Sequence, residues 1–590
     1  MPTQIEDLVS ASLGRIPLSL LVRNAQVLNV FTGEILRSSI GIFKDTIVFV
    51  GSEAPAQKVE KIIDARGAFA IPGLIDTHLH IESTMMIPTR FAEAVLTRGT
   101  TTVCADPHEI VNVLGIKGLR MMLDNAKDLP MKIFFFVPTC VPESSAVTNG
   151  GTISPEDVEK SLDWKGVVGL GEVMDYDAVL ASKPRLMKIL EIGRRRNSVI
   201  DGHSPLLSGA KLSAYISTGP EADHENFSVE NTIEKLRNGM YVKLRGPDVL
   251  DTRAFVAAIK KLPSPWNAIL VTDDVMPDRL ESQGHLDNVC RSVIASGMDP
   301  VEAVRSATLR PAQHMRMSHL GAIAPGKLAD IVLLKSLKNF VPETVISNGR
   351  LVAKGAKLLD PIRQRPFAKS AFHTIHIHKF KVEDFVASLP IKNGTVELNC
   401  IDFQPASSSA SFLEMVLTKL KRSKVEVRNG KIITPGIASV IVFERHGKGG
   451  RRGHGFTRNL MTRGALASTI AHDAHNLMVI GTDPHDMLMA SELVVRSRGG
   501  VVAVKGGRVL ARIKLPIAGL MCEKPLQFVA NEMRRLREAF KKMGMIDHLY
   551  MPIPFLLSLS VIPHARITDK GTFDVDKQEF VSPSLRPGTS

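Results

Sequence analysis

The sequence predicts an α/β protein built around a parallel (β/α)8, TIM-like barrel, with a flanking β-sandwich domain and an additional C-terminal domain. Three observations predict this fold. Short β-rich runs alternate with helical stretches over residues 71–319, most of these runs end in a polar or charged residue, and two similar β-rich segments flank the alternating region. Strand–helix alternation over about 250 residues is typical of a parallel barrel, whose catalytic residues lie at the carboxyl ends of the strands.

The two flanking segments predict one small sheet that the barrel interrupts. Residues 20–70 and 320–355 both contain alternating apolar residues broken by Asn and Gly, as in LLVRNAQVLNV and TVISNGRLVAKG. This pattern favours short antiparallel strands. We therefore divide the chain into residues 1–70 (N-terminal part of the small β-domain), 71–319 (barrel), 320–370 (return strands) and 371–590 (C-terminal domain). Within the last part, Pro525 to Met543 has the pattern of an amphipathic helix with a basic outer face.

Composition excludes several classes of protein. The 590 residues are 44% hydrophobic, and the five cysteines are widely spaced and never form a CxxC motif. This usage excludes a disulfide scaffold and a thiolate zinc module. No apolar run approaches the roughly 20 residues of a membrane span, and no basic segment leads an apolar stretch at the start of the chain. We expect a reduced, cytoplasmic protein that does not associate with membranes.

The net charge of +14 is concentrated in the last third of the chain. Residues 371–590 carry 31 basic and 19 acidic side chains. A basic chain suggests nucleic-acid binding, but two Trp and four Tyr offer few surfaces for base stacking. A solvated basic face or an oligomer surface explains the charge better. We expect no nucleic-acid partner and a homo-oligomer, with a dimer favoured.

Histidines and carboxylates follow the predicted barrel strands in order. PGLIDTHLH places His78 and His80 on the same side of one strand, because strand side chains alternate. Glu172 follows the apolar run VVGLG, where its burial without a partner would be costly. The remaining members are His203 in VIDGHSP, His224 in EADHENFS and Asp273 in AILVTDDVMP.

Each of these residues has an ordinary structural explanation when it is taken alone, such as a helix cap, an ion pair or a satisfied buried histidine. Taken together, six such groups at strand ends fit two metal ions with a carboxylate between them. Two ions about 3.5–4 Å apart can share a water and acidify it. Imidazole and carboxylate ligands without thiolate suit Mn, Fe or Zn.

Several longer motifs carry a family resemblance. PGLIDTHLH, the return segment GAIAPGKLADIVLL and the barrel between them resemble the amidohydrolase superfamily. HIESTMM, ADPHEIVNVLG, TDDVMPDRLESQGHLDNVCR and RNLMTRGALASTIAHDAHNLMVIGTD narrow the resemblance to its adenine deaminase family over nearly the whole chain. The resemblance implies a barrel of the metal-dependent hydrolase type that hydrolyses adenine to hypoxanthine and ammonia in purine salvage. It also implies two divalent ions per chain, with Mn or Fe expected before Zn.

The resemblance assigns the ligands as well. His78, His80 and Asp273 would hold one metal, Glu172 would bridge, and His203 and His224 would hold the second. The strand GLGEV contains no lysine, so a carbamate bridge is not indicated. The alternative deaminase design, which places zinc between H-x-E and P-C-x-x-C motifs, is excluded because no such cysteine pair exists.

The expected mechanism is attack of a metal-activated hydroxide on C6 of adenine, with Asp273 as the catalytic residue that carries the proton to the leaving amine. Candidate contacts with the substrate are Glu82, Asp106, His108, Glu109 and His285. For the three of these in ADPHE, hydrogen bonds that orient the ligand histidines are an equally good explanation.

Two other functions and two further motifs stay open at this point. A cyclic amide hydrolase of the hydantoinase or dihydroorotase type would use the same barrel, and a metal-free assembly protein would have kept only the fold. HGKGGRRGHGF lacks the spacing of a phosphate-binding loop. AHDAHN, with His472, Asp473 and His475, is explained either by packing and capping or by a domain that covers the pocket.

Overall fold

The computed structural model describes residues 4–54, 58–247, 249, 251–403 and 412–584. The chain begins with helix α1 (Ile5–Ser12) and five strands of the first domain. These strands are β1 (Leu20–Leu28), β2 (Ile35–Phe43), β3 (Thr46–Gly51), β4 (Ile62–Asp64) and β5 (Phe69–Pro72).

Eight parallel strands then form the barrel, which confirms the predicted fold class. They are β6 (Leu74–Leu79), β7 (Thr100–Ala105), β8 (Lys132–Val137), β9 (Val167–Val173), β10 (Val199–Gly202), β11 (Ala222–Asp223), β12 (Tyr241–Leu244) and β13 (Ala268–Leu270). Sequence pattern identified all of them except β11, which is only two residues long.

Main-chain contacts close the ring of strands. Strands β6 to β10 pair side by side in parallel, as do β11 to β13. The N–H of Glu221 donates to the Ile200 carbonyl at 2.9 Å between the two groups, and the N–H of Asp273 donates to the His78 carbonyl at 3.0 Å. The last contact joins the ends of β6 and β13, so that His78, His80 and Asp273 lie at one edge of the barrel.

Thirteen helices connect and surround the barrel strands within the described residues. They are α2 (Pro88–Leu96), α3 (His108–Leu114), α4 (Ile116–Asn125), α5 (Pro155–Ser161), α6 (Tyr176–Leu180), α7 (Pro184–Arg195), α8 (Gly209–Ser217), α9 (Val229–Arg237), α10 (Thr252–Ile259), α11 (Pro277–Gln283), α12 (Leu286–Ala295), α13 (Pro300–Ala307) and α14 (Leu309–His314). A short 3-10 helix, Ile81–Thr84, follows β6. Strand β7 is buried along its whole length, as expected for a strand covered on both faces.

The return strands complete the first domain as one sheet, as its split pattern predicted. They are β14 (Ile331–Leu334), β15 (Pro342–Ser347), β16 (Arg350–Lys354) and β17 (Lys357–Leu358), and β14 pairs with β5. Side chains from both halves, including Ile47 of β3 and Ile346 of β15, share one core. The antiparallel expectation is wrong for part of the sheet, since β4 and β5 pair with β1 in parallel. Parallel neighbours cannot be joined by a tight two-residue hairpin.

The third domain is a second nine-stranded sheet with helices. Its sheet strands are β18 (Gly394–Asp402), β19 (Leu420–Arg428), β20 (Lys431–Ile432), β21 (Ile437–Phe443), β22 (Arg452–Arg458), β23 (Ala465–Ser468), β24 (Leu477–Gly481), β25 (Gly500–Lys505) and β26 (Arg508–Lys514). Its helices are α15 (Phe412–Val416), α16 (Pro484–Arg496) and α17 (Leu526–Met543), with 3-10 turns at Lys369–Phe372, Val382–Phe385 and Ile553–Leu556. A small sheet of β27 (Ala565–Thr568), β28 (Gly571–Asp574) and β29 (Glu579–Val581) follows.

The third domain shares a hydrophobic core with the barrel. One cluster of buried side chains includes Phe91 and Phe135 of the barrel together with Leu515 and Phe540 of the third domain. All five cysteines are buried and free, in agreement with the absence of a disulfide framework. None of the helices among the described residues has the length and apolarity that crossing a membrane requires.

Helix α17 confirms the predicted amphipathic segment and shows how it is attached. Its buried face includes Arg537, whose guanidinium donates to Asp278 on α11 at 2.7 Å and to Asp547 at 2.7 Å. The same side chain also donates to the carbonyl oxygens of His548 and Leu549 at 2.8 and 2.9 Å. One buried arginine therefore ties the third domain to a barrel helix and to the segment that precedes Tyr550.

Replacing Arg537 with Met tests how much this attachment contributes to the stability of the full chain. Removing one partner of a buried ion pair typically costs about 3–5 kcal/mol, because the remaining carboxylates stay buried without compensation. We expect a clear fall in the thermal unfolding midpoint of the full chain. Arg535→Met is the matched control, since Arg535 is 70% exposed and, among the described residues, forms an ion pair only with Glu532 on its own helix. Equal midpoints for the two variants would contradict this account.

Candidate active site

The structure brings the six predicted metal-ligating residues to the carboxyl ends of the barrel strands. His78 lies within β6 and His80 directly after it, Glu172 lies on β9, and His203, His224 and Asp273 follow β10, β11 and β13. All six side chains are buried.

The side chains of His78, His80 and Asp273 form the first group. Nε2 of His80 lies 3.3 Å from Oδ1 of Asp273, and Nε2 of His78 lies 3.5 Å from the same oxygen. The spacing suits ligands that surround one ion, because atoms about 2.1 Å from a metal lie about 3–4 Å from one another.

Glu172 faces this group with one oxygen and a second group with the other. Its Oε1 lies 3.4 Å from Nε2 of His80. Its Oε2 lies 2.7 Å from Nδ1 of His203 and 3.5 Å from Nε2 of His224. The imidazoles of His78 and His224 stack with their ring centres 3.8 Å apart, so the two groups are adjacent. The carboxylate of Glu172 therefore lies between them, as a bridging ligand would.

The donor set fits divalent metal ions. His78, His80 and Glu172 offer ligand atoms within 4.8 Å of one another, as do Glu172, His203 and His224. Nε2 of His78 is buried and has no hydrogen-bond partner among the described residues, although it points at Asp273. Nitrogen and oxygen donors without thiolate suit Mn, Fe or Zn.

Charged side chains that contact the predicted ligands fix the orientation of those ligands. Nδ1 of His78 lies 2.9 Å from Asp201, which in turn accepts a hydrogen bond from the buried Lys243 at 2.6 Å. Burial alone would lower the pKa of His78, but the Asp201 carboxylate raises it to about 10. Burial would raise the pKa of Glu172, but the imidazoles of His224 and His203 hold it well below its usual range. A carboxylate behind a histidine fixes the ring orientation and makes the imidazole a stronger ligand.

The second oxygen of Asp273 has partners that sequence reasoning did not identify. Oδ2 accepts hydrogen bonds from Arg245 at 2.7 Å and from the hydroxyl of Tyr550 at 2.9 Å. Arg245 also pairs with Glu225 at 3.0 Å, and Oε1 of Glu225 lies 3.3 Å from Nε2 of His224. Arg245 stands at the end of the run YVKLRG, where a charge in an otherwise buried strand is a usable signal. Tyr550 lies in the third domain, and its local sequence gave no signal.

Two of the candidate substrate contacts touch the ligands themselves. The main-chain carbonyl of Asp106 lies 2.9 Å from Nδ1 of His80. The side chain of Asp106 accepts the N–H of Glu172 at Oδ2, at 2.9 Å. These bonds give Asp106 an orienting role. Nδ1 of His108 lies 3.4 Å from Oε1 of Glu172 and has no hydrogen-bond partner among the described residues. His108 thus faces the centre directly.

Glu82 and Glu109 form a buried pair of acids beside the centre. Glu82 accepts the N–H of Ile110 at 3.3 Å, and Glu109 accepts the hydroxyl of Ser83 at 3.1 Å. Burial and the nearby Glu109 raise the pKa of Glu82 to about 8, and burial raises that of Glu109 to about 7.

His285 lies apart from the six ligands. Its ring nitrogens contact the hydroxyls of Thr100 and Thr272 at 3.2 and 3.3 Å, and its ring packs edge-on against Phe91. Burial lowers its pKa to about 3, so this histidine is neutral. These contacts fix Thr272 next to Asp273, and the role of His285 as a substrate contact stays a prediction.

The AHDAHN segment of the third domain closes over the barrel mouth. Oδ2 of Asp473 lies 3.7 Å from Nε2 of His108, and the N–H of Asp473 donates to Glu143 of a barrel loop at 2.8 Å. Ser560 donates to the same carboxylate through its N–H and its hydroxyl, at 3.1 and 2.7 Å. The structure therefore favours the interpretation in which this domain covers the pocket.

Comparison with known proteins identifies the family. Residues 69–352 match the model of the amidohydrolase family, and residues 415–579 match that of the adenine deaminase C-terminal domain. The chain is 35% identical over 584 residues to an adenine deaminase of Clostridium acetobutylicum, which covers 98% of this chain and 100% of the relative. It is 36% identical to an adenine deaminase of Thermosipho africanus, with 98% of this chain and 99% of the relative covered. The chain belongs to the adenine deaminase family.

The family models place both halves of the site within matched regions. The six predicted ligands lie in the segment that matches the amidohydrolase family, whereas Asp473 and Tyr550 lie in the segment that matches the adenine deaminase C-terminal domain. The resemblance read from the motifs is confirmed. The contacts of Tyr550 with Asp273 and of Asp473 with His108 show how these two parts of the adenine deaminase chain meet.

Replacing Glu172 with Gln should release metal from both groups at once. Each oxygen of Glu172 faces a different set of histidines, so loss of its charge weakens two sites. We expect Mn²⁺ content after loading and gel filtration to fall by more than one ion per chain relative to the wild type, because even residues behind the ligands change affinity about 10–100-fold. Glu156→Gln on α5 is the control, since Glu156 is solvent-exposed. Full metal content in the Glu172 variant would reject the bridging role.

Proposed function

We propose that this chain hydrolyses adenine to hypoxanthine and ammonia at a binuclear metal centre, and so serves purine salvage. The observation that carries the proposal is the position of Glu172, whose two oxygens face the two histidine groups. Relatives that are 35–36% identical along their whole length are named adenine deaminases. In the overall reaction a C6–O bond forms, the C6–N6 bond breaks, and the amine leaves as ammonia.

His78, His80 and Asp273 would hold one ion, His203 and His224 the other, with Glu172 shared. Manganese or iron is proposed before zinc, as the family resemblance implies. Divalent ions bound there would supply a nucleophile by acidifying a shared water at neutral pH.

Asp273 is the residue that we propose to move the proton. Burial would raise its pKa, but the surrounding histidines and Arg245 hold it well below its usual range, so the carboxylate is ionised. Oδ2 is occupied by Arg245 and Tyr550. Oδ1 is therefore the atom that would take the proton from water and return it to the leaving amine. Such acid–base help typically contributes about 10²–10⁴ in rate.

The pocket suits an uncharged base. Arg245 is engaged by Asp273 and Glu225, so it is not available to a phosphate group. His108 is the best placed of the predicted substrate contacts, because it lies between Glu172 of the barrel and Asp473 of the third domain. Burial of the whole mouth under the third domain excludes water and strengthens each electrostatic interaction there. The homo-oligomer, the cytoplasmic location and the absence of nucleic-acid partners stay predictions of the sequence.

Ultraviolet spectroscopy of adenine turnover tests the proposed reaction. We expect the Mn²⁺- or Fe²⁺-loaded protein to convert the adenine spectrum to that of hypoxanthine and to release ammonia in equal amount. His203→Ala and Asp273→Asn should each lower the rate by orders of magnitude while circular dichroism shows an intact fold. An unchanged adenine spectrum, with turnover of a hydantoin or dihydroorotate ring instead, would reassign the enzyme to the cyclic amide hydrolases.

Replacing Tyr550 with Phe tests the contribution of the third domain to catalysis. A hydrogen bond to a charged group is worth about 1.5–3 kcal/mol, and about 1.4 kcal/mol corresponds to tenfold in rate. We expect kcat for adenine to fall about tenfold or more, with unchanged metal content, because Arg245 still holds Asp273. Tyr176→Phe on α6 is the control, since that half-buried tyrosine does not contact the centre. If Tyr550→Phe retains full kcat, the hydroxyl has only a packing role.

A further inference from the structure

A second cluster of potential ligands lies beside the six-residue centre, where the third domain meets the barrel. Nε2 of His475 lies 3.8 Å from Oε2 of Glu109, and Nδ1 of His472 lies 4.0 Å from Oε1 of Glu109. The ligand atoms of the three residues lie within 4.8 Å of one another, and all three side chains are buried. These separations are too long for hydrogen bonds, but they suit ligands around one ion, which lie about 3–4 Å apart.

His475 supplies an independent indication of a ligand. Its side chain is 0% exposed, and Nε2 has no hydrogen-bond partner among the described residues. Leaving a buried polar atom unpaired costs free energy. Nδ1 accepts the N–H of Ala471 at 3.4 Å, and a metal at Nε2 would place the proton on Nδ1 and so break that hydrogen bond. That contact is at the long limit of hydrogen bonding, so little is lost by this tautomer.

The charges of the carboxylates around Glu109 also favour a bound cation. Within the described part of the chain, the ion pairs of Glu109 and Asp473 involve histidines only, and Glu82 and Asp274 have no ion pair with Lys or Arg. In contrast, Asp273 is paired with Arg245. Buried carboxylates this close to one another need either a proton or a compensating cation, and a cation bound among them would supply that charge.

We propose that Glu109, His472 and His475 bind a third divalent transition-metal ion, of the zinc or manganese type. Asp473, whose Oδ1 lies 3.4 Å from Nδ1 of His472, is placed to complete its coordination. Two of the three ligands belong to the third domain and one to the barrel, so the ion would join the two across the mouth. The site goes beyond the proposed function, since it uses none of the six ligands of the binuclear centre.

Metal counting and anomalous scattering test the site. The full-length protein is stripped with a chelator, loaded with Zn²⁺ or with Mn²⁺, gel-filtered and analysed by mass spectrometry of the elements. We expect about three ions per chain for the wild type and about two for His475→Gln. His485→Gln is the matched control, since His485 is exposed on α16 of the same domain, and it should keep three. Crystals of the wild type should show an anomalous peak between Glu109 and His475.

Other outcomes overturn the proposal. No peak between Glu109 and His475 in crystals whose binuclear centre is filled would do so, and this measurement on the wild type decides even where His475→Gln does not fold. An unchanged metal count in His475→Gln with a raised KM for adenine would make His475 a substrate contact instead. Failure of the proposed function has a different signature, because the peaks around Glu172 would then be missing while the peak at Glu109 persists.

Discussion

The carboxylate of Glu172, buried between two groups of histidines, is the interaction on which the barrel mouth depends. A carboxylate without compensation in this position would be costly. Its oxygens instead face His80 on one side and His203 and His224 on the other. Those histidines can converge only because the ring of strands closes and brings the end of β13 against the end of β6. Closure of the barrel and convergence of the ligands are therefore one constraint.

A chain of charges continues outward from this carboxylate. Asp273 links the first histidine group to Arg245, and Arg245 links it to Glu225 beside His224. Each carboxylate in this series, Glu172, Asp273 and Glu225, has a histidine or arginine neighbour that holds its pKa below the usual range. Tyr550 adds the only donor to Asp273 that comes from the third domain among the described contacts. The third domain thus acts on the reacting region through a specific hydrogen bond as well as by covering it.

Much of the fold and of the site followed from local sequence signals. Most of the six predicted ligands follow a run of apolar residues, and strand periodicity puts His78 and His80 on one side; His224 follows GPEAD, which gives no such signal. Such signals depend on neighbouring residues in the sequence, so they can be recognised without knowledge of the tertiary contacts. The partners of Asp273 are not local, since Tyr550 is 277 residues away along the chain. Likewise His285, which shares the motif TDDVMPDRLESQGHLDNVCR with Asp273, packs against Thr100 and Phe91 because tertiary packing, not spacing, decides where it points.

The side chains of the AHDAHN segment are complementary in charge to the barrel residues that the segment covers. An apolar lid would leave Glu82 and Glu109 buried against a dry surface with no group able to compensate them. The third domain instead presents His472 and His475 to Glu109, while Asp473 faces His108. Acids of the barrel thus meet imidazoles of the third domain, and an imidazole of the barrel meets an acid. This complementarity explains how the third domain can cover a barrel mouth that carries buried acids.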